Sequence, residues 1–153
     1  MDPEIFIRNY EASDIDQITS LIAELGYPNS REFFASRFEI LERSKCDREL
    51  VATRGNEIVG LMTLHFIPLP HQAGNLCRIV ALIVGFEARR RGVGANLMTA
   101  AEEIALSHGC IKMEVTSGDQ RTDVHAFYEA LGYEEVSRRF VKKLEYGGDN
   151  ALS

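Results

Sequence analysis

A strand, a basic glycine turn and a helix follow one another between Leu76 and Ala105, and this succession restricts the fold more than any other part of the chain. Leu76 to Val84 is apolar on both faces apart from Arg78, the pattern of a central strand covered on both sides. The chain then reads Gly85-Phe86-Glu87-Ala88-Arg89-Arg90-Arg91-Gly92-Val93-Gly94-Ala95. Behind it Leu97, Ala100, Ala101, Ile104 and Ala105 recur at helical spacing. The first turn of a helix has unpaired N–H groups and the positive end of the dipole. Glycines let a ligand's phosphates approach those groups, and arginines add charge and donors for anionic oxygen. The physical reading is a pyrophosphate site; the plainer one is a tight turn with a solvated arginine cluster. No Gly-Lys-Ser/Thr follows, and Gly-x-Gly-x-x-Gly fails at Leu97, so neither a P-loop nor a dinucleotide fingerprint is present.

The remaining periodicities predict a mixed α/β chain. Ile5 to Arg8 alternates as a short strand, and Ser13 or Asp14 caps a helix built on Ile15, Ile18, Leu21, Ile22 and Leu25 and ended by Gly26. Ser30 caps a second helix with Phe33, Phe34, Phe38 and Leu41 on its apolar side. Glu49 to Thr53 and Ile58 to Phe66 read as a hairpin about Gly55-Asn56. Pro68, Pro70 and Gly74 mark a loop before the central strand. After the glycine-turn helix, closed by His108-Gly109, Ile111 to Val115 is a strand and Asp123 caps a helix stopped by Gly132. Tyr133 to Val136 and Phe140 to Leu144 read as a last pair of strands, and Gly147 to Asn150 as a frayed tail. Hairpins followed by strand–helix–strand–helix predict helices flanking one mixed sheet.

Composition narrows the function. The 153 residues carry a formal charge of −6, which argues against bulk binding to nucleic acid. No apolar run approaches the roughly 20 residues of a membrane helix, and the acidic N-terminus lacks a secretory h-region. Cys46, Cys77 and Cys110 are odd in number and widely spaced, which fits neither a disulfide framework nor a zinc knuckle and favours a cytoplasmic location. No linker or repeat interrupts the chain, so a single domain over residues 1–146 with a tail at 147–153 is expected.

Arg89-x-x-Gly92-x-Gly94 after an apolar strand resembles the acetyl-CoA motif Arg/Gln-x-x-Gly-x-Gly/Ala of the GCN5-related N-acetyltransferases, the GNAT family. About 30 residues later, Ala126-Phe127-Tyr128-Glu129-Ala130-Leu131-Gly132-Tyr133 resembles that family's Phe-Tyr-Glu-Lys-Leu-Gly-Phe. The order of elements agrees from Ile5 to Leu144. The resemblance implies a mostly antiparallel, twisted central sheet of about six or seven strands flanked by helices. It implies acetyl-CoA as cosubstrate and acetyl transfer to a primary amine of a small molecule in a ternary complex. A protein or peptide N-acetyltransferase and a non-catalytic acetyl-CoA-binding module are the other readings. Arg121, where many members carry Asn, and the segment Gly60 to His65 with His71 make the chain look most like the aminoalkylphosphonate and aminoglycoside N-acetyltransferase subgroup.

Carried over residue by residue, the resemblance implies that Leu82, Ile83 and Val84 bond the pantetheine arm as an added strand would. Arg89, Arg90, Arg91, Gly92, Val93, Gly94 and Ala95 would hold the pyrophosphate, with Phe127 beside the cofactor. Tyr128 matches the family's general acid, against the plain alternative of a packing aromatic. An amine near pKa 10 must lose a proton before attack. The central strand offers no carboxylate, so His65 and His71, directly or through water, are the candidate bases. They could also form a pair of metal-binding imidazoles, but no third ligand is evident and no metal is expected. Arg78 either receives an anionic group of the substrate or pairs with a neighbouring carboxylate. A homodimer is the family-based expectation, with no membrane or nucleic-acid partner.

Overall fold

The structure, a computed structural model, describes residues 4–116, 122–136 and 139–145. The chain divides into two compact units, Met1–Gly118 and Asp119–Ser153. In the first unit five strands lie in sequence order: β1 (Ile5–Asn9), β2 (Asp47–Arg54), β3 (Glu57–Pro68), β4 (Asn75–Val84) and β5 (Cys110–Val115). All neighbours are antiparallel except β4 and β5. Helices α1 (Ile15–Glu24) and α2 (Arg31–Arg43) separate β1 from β2, and α3 (Val93–Ser107) makes the crossover from β4 to β5.

Alternation along the strands sorts the core onto two faces. Val51, Leu61 and Ile83 are in register and bury against Ile15, Ile18 and Leu21 of α1 and Phe34 and Phe38 of α2. Gly60, one residue from Leu61, faces the opposite side. A Cβ there would stand 3.0 Å from Val93 and 3.1 Å from Leu97, so the absent side chain lets α3 lie close on the sheet. The fold class is therefore as the periodicity implied, helices on both faces of a mixed sheet.

Local chemistry fixes the elements. Ser30 accepts the Phe33 N–H at 3.0 Å as the N-cap of α2. Asp14 behaves otherwise than a cap: its buried carboxylate takes both terminal nitrogens of Arg8, at 2.8 and 2.9 Å, and the Glu11 N–H at 2.8 Å. The Arg8 guanidinium holds the Asp14 carboxyl below the usual carboxylate range. Gln17 of α1 accepts the Ile58 N–H at 2.8 Å, locking α1 to the start of β3.

The strand count differs from the expected six or seven. In the second unit α4 (Thr122–Ala130) forms as expected, and Gly132 adopts a left-handed φ of 91° after it. The described parts of the last two segments, residues 133–136 and 139–145, are not strands. The Tyr133 N–H turns back to the Tyr128 carbonyl at the end of α4, at 3.0 Å, which takes it out of any ladder, and Val136, Phe140, Val141 and Leu144 are exposed. The frayed tail read at 147–150 and Arg121 lie outside the described residues.

Candidate active site

The site in the first unit is built where β4 loses its neighbour. β5 pairs with β4 only from Asn75 to Ile79. On the other side, the pairing with β3 runs the whole length of β4 but skips Val80 in a bulge between Ala81 and Ile79. From Ala81 to Val84, one edge of β4 therefore has no strand beside it among the described residues. Leu82, Ile83 and Val84 fall on this open edge, in register with Met62, Leu61 and Gly60. Such an edge presents backbone donors and acceptors to an extended ligand.

The edge runs directly into the basic turn. Gly85 donates to the Val59 carbonyl at 2.9 Å, and the Phe86 N–H donates to Glu24 Oε1 at 2.6 Å, so the carboxylate at the end of α1 fastens the turn. Arg89 lies 4.1 Å over the Phe86 ring and its Nε donates to the Val84 carbonyl at 3.3 Å. Arg90 takes a left-handed φ of 64° and Gly92 one of 81°. Gly92 is the N-cap of α3 and offers no side chain; its carbonyl first accepts from Asn96, at 2.9 Å. The α3 N–H groups of Val93, Gly94 and Ala95 thus begin the helix without intrahelical partners, beside Arg89, Arg90 and Arg91. Val93 itself is buried and anchors the helix against Gly60.

The face of the sheet lined by Val51, Leu61 and Ile83 turns polar toward the half of β4 that pairs with β5. Asp47, His65 and Arg78 are in register across β2, β3 and β4, and Arg78 is in register with Glu114 of β5. His65 Nδ1 lies 2.8 Å from Asp47 Oδ1, which fixes the ring, and Nε2 has no partner among the described residues. Arg78 Nε donates to Glu114 Oε1 at 2.8 Å, with both side chains partly exposed. The carboxylate partner weighed from the sequence is thus present, and the terminal nitrogens of Arg78 are not used in that bond. His71 lies apart from this row, exposed in the β3–β4 loop. Among the described residues no group of three His, Cys, Asp or Glu side chains could hold a metal.

The second unit carries an aromatic cluster of its own. Phe127 and Tyr128 sit on α4, both half-buried, with ring centroids 5.1 Å apart, and Tyr133 packs edge-on at 6.0 Å from Tyr128. Burial pushes the Tyr128 phenol above its ordinary value, so the hydroxyl keeps its proton at neutral pH. His125 is half-buried one turn earlier.

Sequence reasoning missed Asp47, Glu49 and Glu24. Counted back from Gly55-Asn56 alone, Asp47 would stand opposite Leu64; a bulge between Ala52 and Thr53 moves it to His65, and nothing in the sequence announced that bulge or tied Glu24 to Phe86.

The profile of the Acetyltransferase (GNAT) family matches residues 14–133. The chain belongs to the GNAT acetyltransferase family. It is 31% identical over 147 residues, covering 93% of each chain, to the aminoalkylphosphonate N-acetyltransferase of Salmonella typhimurium strain LT2. Among solved structures it is similar to a transcriptional regulator from Bacillus halodurans C-125, with a TM-score of 0.84 and 26% identity over 92% of this chain and 100% of that one. It shares its fold with AAC(6')-Iy, solved with the bisubstrate analogue CoA-S-monomethyl-acetylneamine, at a TM-score of 0.81 and 16% identity over 94% and 99% of the two chains. The GNAT chain is an acetyl-CoA-dependent N-acetyltransferase. No helix among the described residues is long and apolar enough to cross a membrane.

Proposed function

We propose that the chain acetylates the primary amine of a small anionic molecule, with an aminoalkylphosphonate as the substrate class. The observation that carries this is the open edge of β4 at Leu82, Ile83 and Val84 running into the arginine turn at the start of α3. The pantetheine arm of acetyl-CoA extends that edge as a strand would, and its pyrophosphate takes the free N–H groups of Val93, Gly94 and Ala95 with Gly92, Arg90 and Arg91 around them. Arg89 is committed to the Phe86 ring and holds the turn in shape. A main-chain N–H near Val84 polarises the thioester carbonyl, and Phe127 lies along the cofactor.

The reaction is direct attack of the free amine on the thioester in a ternary complex. Tyr128 gives its proton to the departing thiolate. Arg78, with Nε taken by Glu114, presents its remaining guanidinium N–H groups to the phosphonate, on the face that carries His65. That geometry favours an anionic amine over a polycationic one. His65, turned by Asp47, passes the released proton outward, whereas His71 is outside the polar row and takes no part. The unpaired cysteines Cys46, Cys77 and Cys110 support a reducing, cytoplasmic location.

Thiol release from acetyl-CoA, read with a disulfide reagent, tests this. 2-Aminoethylphosphonate is compared with butylamine, an aminoglycoside, a polyamine and a lysine-rich peptide. Preference for the phosphonate that collapses in Arg78→Ala through a higher KM supports the reading. Preference for the peptide or the aminoglycoside overturns the substrate class, and no thiol release with any amine overturns the activity.

A further inference from the structure

Among the described residues, one buried side-chain oxygen lacks a partner, and it belongs to a carboxyl group at the polar end of the face that α1 and α2 cover. Glu49 of β2 is 6% exposed, and its Oε2 has no hydrogen-bond partner. Burying a carboxyl oxygen without a donor is costly, and folded chains rarely leave one so. Its register shows where it stands. Glu49 lies opposite Thr63 on β3, and Thr63 lies opposite Ala81 on β4. Ala81 is the first residue beyond the bulge, where the open edge of β4 begins. Two strand spacings of about 4.8 Å separate the Glu49 backbone from that edge, with Thr63 between them on the same face. The row beside it is Asp47, His65 and Arg78.

The charges around Glu49 select the ligand. Glu42 of α2 and Asp47 of β2 add negative potential, and Arg48, the next residue along β2, points to the other face of the sheet. Tyr10, at the end of β1, donates its N–H to the Glu49 carbonyl at 2.9 Å and packs on Phe38 of α2. Thr63 and His65 face it from β3. Among the described residues no cation reaches Oε2. A carboxyl in negative surroundings, short of a donor and on the sheet face two strands from the open edge of β4, suits an ammonium ion with three N–H donors.

We propose that Glu49 binds the substrate's ammonium group and takes its first proton, which makes it the base of the acetyl transfer. This rests on the acetyltransferase reading above and adds the residue that reading lacked. The N–H bond of R–NH3+ breaks and an O–H bond forms on Glu49. The freed lone pair attacks the thioester carbon, the C–S bond breaks, and Tyr128 protonates the sulfur. The second proton lost by nitrogen as the amide forms restores Tyr128, and the proton on Glu49 leaves to solvent by way of His65. One proton is released per acetyl group. Burial and the neighbouring carboxylates push Glu49 up to about 7, between the carboxylate range and the amine, as a base working at neutral pH needs.

Two measurements on the full-length protein test this, both with 2-aminoethylphosphonate as the probe. In the first, kcat/KM is followed against pH in wild type, Glu49→Gln and Glu49→Asp. The expected result is an acid limb near 7 in wild type, kept in Glu49→Asp. In Glu49→Gln the limb is lost and the rate at pH 7 falls roughly 10²–10⁴-fold, with acetyl-CoA affinity by calorimetry unchanged. A Glu49→Gln variant that keeps the limb and turns over within threefold of wild type overturns the proposal and leaves the acetyltransferase reading standing. The second needs no turnover. In protein labelled with ¹³C at the glutamate carboxyl carbons, the Glu49 resonance is assigned by its loss in Glu49→Gln and titrated with and without the probe in the presence of CoA. An ammonium at Oε2 moves the midpoint down by at least one pH unit; an unmoved midpoint overturns the proposal whether or not thiol release is seen.

Discussion

Asp14 and Glu49 are both buried carboxyl groups, and their surroundings act on them in opposite directions. Asp14, held low by Arg8, contributes stability that is full above the ordinary carboxylate range and lost as pH falls through its folded value. Glu49 is raised from 4.5 to about 7, so its contribution is full below 4.5 and lost as pH rises through 7. Glu49→Gln should therefore melt with wild type near pH 4 and above it at pH 8, by at most about 3 kcal/mol. Differential scanning calorimetry at the two pH values checks this, and a variant less stable at pH 8 would mean that Glu49 is paired in the folded state. Tyr128→Phe should lower kcat by roughly 10²–10⁴-fold with little change in KM for acetyl-CoA, since a thiolate is a tolerable leaving group without help. An unchanged kcat would reduce Tyr128 to a packing residue on α4. Arg89 to Ala95 and Phe127–Tyr128 stood out in the sequence through their resemblance to two family motifs, and the turn at the first of them does need a glycine, Gly92 having a left-handed φ of 81°. Glu49 was not legible: a carboxylate inside Arg48-Glu49-Leu50-Val51 reads as an ordinary outward residue of a strand until the register places it under α2.

At the scale of elements, β4 shows what periodicity conveys and what it omits. An apolar run on both faces predicted a covered central strand, and its lower half, paired with β3 and β5, is one. The upper half loses β5, and the bulge that accompanies the change leaves Val80 exposed. A bulge adds one residue without altering composition, so no pattern in Leu76 to Val84 announced it. The hairpin of β2 and β3 was legible because Gly55-Asn56 demands a tight turn, and Gly55 does adopt a φ of 62°. The turn between β4 and α3 carries its own prediction. Arg90 pays the cost of a left-handed residue with a side chain, about 1 kcal/mol or somewhat more. Arg90→Gly removes that strain and one positive charge together. The variant should melt at or above the wild-type temperature and bind acetyl-CoA about 3–10-fold more weakly in low salt, the loss shrinking as salt rises. Isothermal titration at two salt concentrations measures it; undiminished affinity would mean that the pyrophosphate is held by the α3 N–H groups alone.

For the molecule as a whole, the segment expected as a last strand pair poses the remaining problem. Val136, Phe140, Val141 and Leu144 are all exposed, Phe140 almost fully at 96%. Phe140, Val141 and Leu144 around Lys142 and Lys143 read as a strand in sequence because the run is rich in β-forming apolar residues. A lone chain leaves such a run in water at a cost of roughly 25 cal/mol for each Å² of apolar surface. A second copy can remove that cost for both chains at once, since a two-fold axis sets the same patch against itself. Lys142 and Lys143 then form the polar margin of the contact. The chain should accordingly run as a homodimer, with a mass by light scattering of twice 17.2 kDa at micromolar concentration. Phe140→Asp with Leu144→Asp should return it to 17.2 kDa without unfolding the five-stranded sheet, whose strands lie wholly in the first unit. A wild-type chain that stays at 17.2 kDa up to about 100 μM would remove the dimer and leave the apolar run uncovered, because a contact of standard size holds well below that concentration.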